Sequence, residues 1–199
     1  MQVDAFKHVE FLWDESKAAN LSDDEVALFI YRSNVLGADL RITNFGGGNT
    51  SCKTVEKDPL TGQDVDVMWI KGSGGDIGTL NRQGVAGLYL DRMYDLKRIY
   101  RGLEHEDEMV DLYYRCLFDL DSRAPSIDTA LHGFLPFKHI DHLHPDGLIA
   151  IAAAKDSERI TEEIWGGSMG WVPWQRPGFD LGLKLEECLT ENPGIRGIV

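Results

Sequence analysis

Apolar residues fall into short blocks separated by polar and glycine-rich stretches, and the period of the blocks changes along the chain. Residues 4–20 are polar with Phe6, Phe11, Leu12 and Trp13 interspersed, which reads as an arm that packs through its aromatics. Val26, Phe29, Ile30, Val35 and Leu36 then form a rough helical stripe. Ser22 as an N-cap, with Glu25 completing a capping box and Gly37 as a stop, predicts a helix over 23–36. Leu40-Arg41-Ile42 predicts a short strand that runs into Gly46-Gly47-Gly48-Asn49-Thr50-Ser51. Residues 65–71 alternate with the period of two that a strand requires. The turn Asp58-Pro59-Leu60-Thr61-Gly62 lies between them and predicts a hairpin.

Leu88, Leu90, Met93, Tyr94, Leu96 and Ile99 predict a helix over 84–100. Residues 105–120 predict another, with Glu106, Asp107 and Glu108 favourably placed near its N-terminus. Pro125-Ser126-Ile127-Asp128 opens a further helix through His132 and Phe134. A strand follows near 138–146. The apolar run 147–154 then reads as a buried strand or a small-residue packing segment. Short helices are expected over 156–165 and 179–189, joined by an aromatic, proline-rich connection at 171–178. Another apolar run begins at Ile195. Alternating helices and strands indicate an α/β fold, and the hairpin argues against an all-parallel sheet.

The 199 residues suit one domain. Against 33 acidic residues stand 20 basic ones, a formal net charge of −13, which repels nucleic acid and anionic membrane surfaces. An anionic small substrate would therefore need a local positive site. Cys52, Cys116 and Cys188 show no paired spacing, so a disulfide framework is not expected and a reducing cytoplasm is. With His8, Glu10, Asp14 and Glu15 near the start and no long apolar run there, no signal peptide is expected, and no window approaches the length of a membrane span.

The densest chemistry lies in Lys138-His139-Ile140-Asp141-His142-Leu143-His144-Pro145-Asp146. His142 and His144 are two apart, so on a strand both rings reach one point from one side. That suits two ligands of a tetrahedral zinc ion, at about 2.0–2.1 Å each. Asp141 and Asp146 flank the pair and could orient its ring N–H groups. Two glycine loops, Gly46-Gly47-Gly48-Asn49-Thr50-Ser51 and Gly72-Ser73-Gly74-Gly75-Asp76, allow a close backbone approach to a ligand, with Lys71 beside the second. At the ends of paired strands they can form a nest of N–H groups for a phosphate. Neither matches a P-loop or a dinucleotide fingerprint.

Four blocks in this order resemble the class II aldolase/adducin family: 43–51, 71–76, Pro125-Ser126-Ile127-Asp128 and 142–146. The first block and 174–180 look most like the aldolase half of bifunctional rhamnulose-phosphate aldolase/short-chain dehydrogenase proteins. The resemblance implies a three-layer α/β/α sandwich around a largely antiparallel sheet, commonly assembled as a homotetramer. It implies metal-dependent retro-aldol cleavage of a ketose 1-phosphate to dihydroxyacetone phosphate and an aldehyde. Sugar-phosphate 4-epimerases and non-catalytic adducin-like modules share the scaffold and stand as alternatives.

Carried over by position, His142 and His144 would hold Zn²⁺, and Asn49, Ser73, Gly74 and Ser126 the substrate phosphate. Asp128 falls where the family's aldolases place a catalytic glutamate. It also suits a helix cap. The family's third histidine lies beyond the apolar run at Ile195, so the chain is expected to be cut short at that end and impaired on its own. A dehydrogenase domain, and with it NAD, is expected only downstream. His132 and His139 are further histidines without an assigned role, and Arg176 is a candidate anion contact.

Overall fold

The structure, a computed structural model, describes residues 9–199. Two helices open it, α1 (Glu15–Asn20) and α2 (Glu25–Ala38). The cap of α2 is Asp24, whose carboxylate accepts from the Ala27 N–H at 2.9 Å. Ser22 instead donates its hydroxyl back to Ala19, so the expected capping box does not form. A carboxylate two positions nearer the helix displaces it, as caps of this kind can. Residues 40–42 form a turn rather than the expected strand. Asp39 holds that turn by accepting from both the backbone N–H and the guanidinium of Arg41.

The hairpin is present as β1 (Asn49–Lys57) and β2 (Asp64–Lys71), paired antiparallel from Ser51–Ile70 to Lys57–Asp64. Residues 85–89, expected to begin a helix, form β3 (Val85–Tyr89), and the helix α3 (Leu90–Ile99) starts only at Leu90. The chain stays extended there because β3 pairs with β2 and all five of its residues are buried. α4 (Glu106–Leu112) gives way to a 3₁₀ turn over Tyr113–Cys116, so the helix expected over 105–120 is shorter. Next come α5 (Thr129–Phe134), β4 (His139–His142), α6 (Asp146–Ala152), α7 (Ser157–Trp165) and α8 (Phe179–Glu191). The sheet is antiparallel throughout, in the order β3-β2-β1-β4.

Alternation along the strands divides the molecule into three layers, the α/β/α sandwich that was expected. On one face Val26 and Phe29 of α2 pack with Cys52, Leu80 and Val85. On the other, Met68, Ile70, Ala86 and Leu88 pack against α3, α4, α5 and α8 through Met93, Met109, Phe134 and Phe179. Phe134 meets Phe179 edge-on, with ring centroids 5.0 Å apart, a geometry that ring quadrupoles favour.

The apolar run 147–154 departs most from expectation. It lies in α6 and the turn after it, no residue of α6 is buried, and Ile149 is 42% exposed. Pro145 cannot continue a ladder by donating, and the four N–H groups after it turn into a helix. The last residues fold back instead: Gly170 donates to Gly197, and Val199 donates to Gly170. Among the described residues no helix is long and apolar enough to cross a membrane.

Candidate functional site

Register places the site. β1 pairs with β4 so that Asn49 lies directly across from His142, and directly paired residues share a face of the sheet. His144 stands two residues beyond, outside the strand proper. The two imidazoles still converge, with Nε2 atoms 3.0 Å apart and ring planes at 68°. The first glycine loop makes room for them. A Cβ at Gly48, whose φ is +79°, would sit 2.4 Å from the His142 carbonyl oxygen. One at Gly47 would sit 2.8 Å from His144 Nδ1. Asp76 ties this loop to the second, accepting from Gly46 N–H at 2.5 Å and from Gly78 N–H at 2.7 Å.

Three alternate positions of β1 reach across to the segment that carries Asp128. Asn49 Nδ2 donates to Asp128 Oδ2 at 2.6 Å and to Ser126 Oγ at 2.9 Å. Ser51 Oγ lies 2.8 Å from His132 Nδ1. The Lys53 ammonium donates to the carbonyls of Gly133, at 3.3 Å, and Leu135 at the end of α5. Asp128 stands at the N-terminus of α5, yet its side chain makes no capping bond and turns to Asn49 instead. The helix-cap reading of this residue therefore does not hold. Its other oxygen, Oδ1, is buried without a hydrogen-bond partner.

Asn49, Lys71, Ser73, Gly74, Ser126, Asp128 and His144 share the wall of one pocket of about 610 Å³. His142 is outside this wall but adjoins it, with Nδ1 3.9 Å from Asp128 Oδ2. Every phosphate-binding position expected from sequence thus lines one cavity. Val110 and Tyr114, which add an apolar side to the wall, escaped the sequence reading, and Lys71, noted there only as standing beside the second loop, lies in the wall itself. The lysine closes a strand whose alternation was visible, but nothing local shows that its ammonium is inside.

Burial sets the charges. It pushes the His132 imidazole well below its ordinary range and His142 lower as well, with Asp128 opposing at His142. Neutral imidazoles are the form that binds metals. Burial also lowers Lys71, and the carboxylates of Asp128 and Asp76 draw it back up.

Several expectations fail. Asp141 pairs with Arg32 and does not orient the imidazoles, and Asp146 opens α6 exposed to solvent. Arg176 is held by Glu106, at 3.0 Å, and by Asp107, so it is no anion contact. His139 lies at the sheet edge beside Phe137 and Ile198, away from the pocket. His8 lies outside the described residues.

A divalent metal fits this geometry in part. Two tetrahedral ligands at about 2.0–2.1 Å from zinc stand roughly 3.3 Å apart, close to the observed 3.0 Å between the Nε2 atoms. Among the described residues no group of three or more His, Cys, Asp or Glu side chains is arranged to hold an ion. These residues therefore offer two points of a metal site.

The class II aldolase and adducin N-terminal domain family matches residues 30–197. An uncharacterized oxidoreductase, YuxG of Bacillus subtilis (strain 168), is 44% identical over 185 residues, 93% of this chain and 26% of its own length. The chain thus spans about a quarter of that relative. The N-terminal class II aldolase domain of a conserved protein from Thermoplasma acidophilum superposes with a TM-score of 0.78 at 29% identity, over 97% of this chain and 83% of that one. A sugar-phosphate aldolase from Thermotoga maritima shares the fold with a TM-score of 0.51 at 14% identity, over 81% and 76% of the two chains.

Proposed function

Because this chain belongs to the class II aldolase and adducin N-terminal domain family, we propose that its pocket cleaves a ketose 1-phosphate, rhamnulose 1-phosphate or a close relative, by a metal-assisted retro-aldol reaction. The observation that carries this is the meeting of a half-free carboxylate, two converging imidazoles and two glycine loops at one cavity. Zinc held by His142 and His144, with ligands from outside these residues completing the set, would supply Lewis-acid stabilisation of the charge that develops at the carbonyl.

The chain's own residues do the rest. In a retro-aldol step a hydroxyl loses its proton, the adjacent C–C bond breaks, and the electron pair moves toward the carbonyl. The Asp128 carboxylate, with Oδ2 held by Asn49 and Oδ1 without a hydrogen-bond partner among the described residues, takes that proton and returns it to the enediolate carbon, which gives dihydroxyacetone phosphate and the aldehyde. General-base transfer by a positioned carboxylate typically contributes about 10²–10⁴-fold. Ser73 and Gly74 of the second loop receive the phosphate, together with Ser126, whose hydroxyl lies 3.4 Å from Asp128 Oδ2. The Ser73 N–H already donates to Ala124 O at 2.8 Å, which leaves its hydroxyl for the ligand. Asn49 meets the phosphate only by exchanging a bond to Ser126 or Asp128. Anchoring remote from the breaking bond converts binding into correct placement. Lys71 supplies local positive charge in a chain of net charge −13.

The test is release of dihydroxyacetone phosphate from rhamnulose 1-phosphate with zinc present, compared with Asp128→Asn. Release that falls at least about a hundredfold in the variant supports the proposal. Unchanged release, or formation of an epimeric pentulose phosphate from a ribulose phosphate in its place, overturns it.

A further inference from the structure

The surroundings of Lys71 are unusual. It is 5% exposed at the end of β2, and lysine is rarely buried unless paired. Among the described residues no carboxylate touches it. Its ammonium donates to the Asn49 side-chain oxygen at 3.2 Å and lies 3.5 Å from Gly72 O. Asn49 in turn donates from its amide nitrogen to Asp128 Oδ2 and Ser126 Oγ.

An asparagine amide has two nearly isosteric ends, and only its partners decide which way it faces. Asp128 ionised accepts only, and an ammonium donates only. With Lys71 on one side and Asp128 on the other, a single orientation satisfies both. The oxygen must face the lysine and the NH₂ must face the carboxylate. Remove the ammonium, and the amide is anchored only through its NH₂, with a buried oxygen that has lost its donor. The amide then shifts to find another donor, and the carboxylate bonded to it moves with it.

We propose that Lys71 is a positioning residue, which orients the Asn49 amide and through it the carboxylate of Asp128. The consequence for chemistry rests on the aldolase reading, but the orientation itself does not. A lysine that acted mainly as a phosphate ligand would behave differently, because its loss would weaken substrate binding and spare the chemical step.

The experiment takes Lys71→Met, which keeps the length of the stem, and Lys71→Arg, which keeps the donor. The first readout is the nitrogen-15 signal of the Asn49 side-chain amide, identified by its loss in Asn49→Ala. Its protons should exchange slowly in the unchanged protein and in Lys71→Arg. In Lys71→Met they should exchange at least about tenfold faster. The second readout is turnover of rhamnulose 1-phosphate in zinc. Lys71→Met should lower kcat about tenfold or more with KM within about threefold, and Lys71→Arg should recover most of it. An Asn49 amide unmoved in Lys71→Met overturns the proposal, as does a rise confined to KM. If neither this chain nor one extended past Val199 turns over a ketose phosphate, the aldolase reading has failed and the amide signal alone decides the orientation.

Discussion

On the face of the sheet that meets α5, two buried clusters lie side by side. One is apolar: Met68, Ile70, Ala86 and Leu88 against Met93, Phe134 and Phe179. The other is polar: Asn49, Ser51, Ser126, Thr129 and His132, each at most 7% exposed. Both are shielded from water to a similar degree, yet they hold the protein by different means. Apolar contacts are non-directional and sum over area, so that side supplies stability and tolerates swaps that keep the volume. Buried hydrogen bonds contribute little net stability but cost much when one partner is lost. The polar side therefore supplies position. α5 belongs to both, with Phe134 in one cluster and His132 in the other, so the Asp128 carboxylate at its start is held by packing and by hydrogen bonds at once.

The contrast can be broken from either side. The largest effect on stability is expected from Phe134→Ala, which removes a side chain 1% exposed and opens a cavity beside Phe179. Chemical denaturation should show a loss of about 3–5 kcal/mol. Ser51→Ala should cost less, about 1–3 kcal/mol. It leaves His132 Nδ1 without its partner at 2.8 Å, beside an Nε2 that already has none. The same unfolding measurement checks it, and a cost at or above that of Phe134→Ala would erase the distinction between the clusters.

The buried polar side also predicts a pH dependence. Burial holds Lys53 down to about 8, against an ordinary value of 10.5. Between those values the unfolded chain retains a proton that the folded chain has lost, so this group makes stability rise with pH through that window. Burial pushes the Cys52 thiol from 9.0 up to about 12, which opposes the rise above pH 9. The difference between the unchanged protein and Lys53→Met isolates the lysine. Stability curves measured from pH 7 to 10.5 should converge or cross as pH rises, and parallel curves would refute the assignment.

The sequence made some of this legible. The hairpin followed from alternation in 65–71 and a strong turn, and the pairing of the imidazoles followed from a spacing of two. The three-layer fold came from the resemblance of four blocks, which also marked the pocket walls. What stayed hidden depended on partners distant in the chain. β3 read as helix because Leu88 fits the period of α3, and only pairing with β2 keeps it extended. Asp141 read as an orienting carboxylate because it adjoins His142, but alternation sends it to the opposite face, where Arg32 waits. Arg176 looked free until α4 brought Glu106 and Asp107 to it. The exposed α6 shows the limit of an apolar run as a sign of burial.

The account stands on His142 and His144 acting as metal ligands. Zinc titration by calorimetry of the unchanged protein, His142→Ala and His144→Ala tests this without any assay of turnover. The expected result is one saturable zinc per chain in the unchanged protein, with affinity weaker by at least about tenfold in each variant. Equal zinc affinity in all three proteins would contradict it.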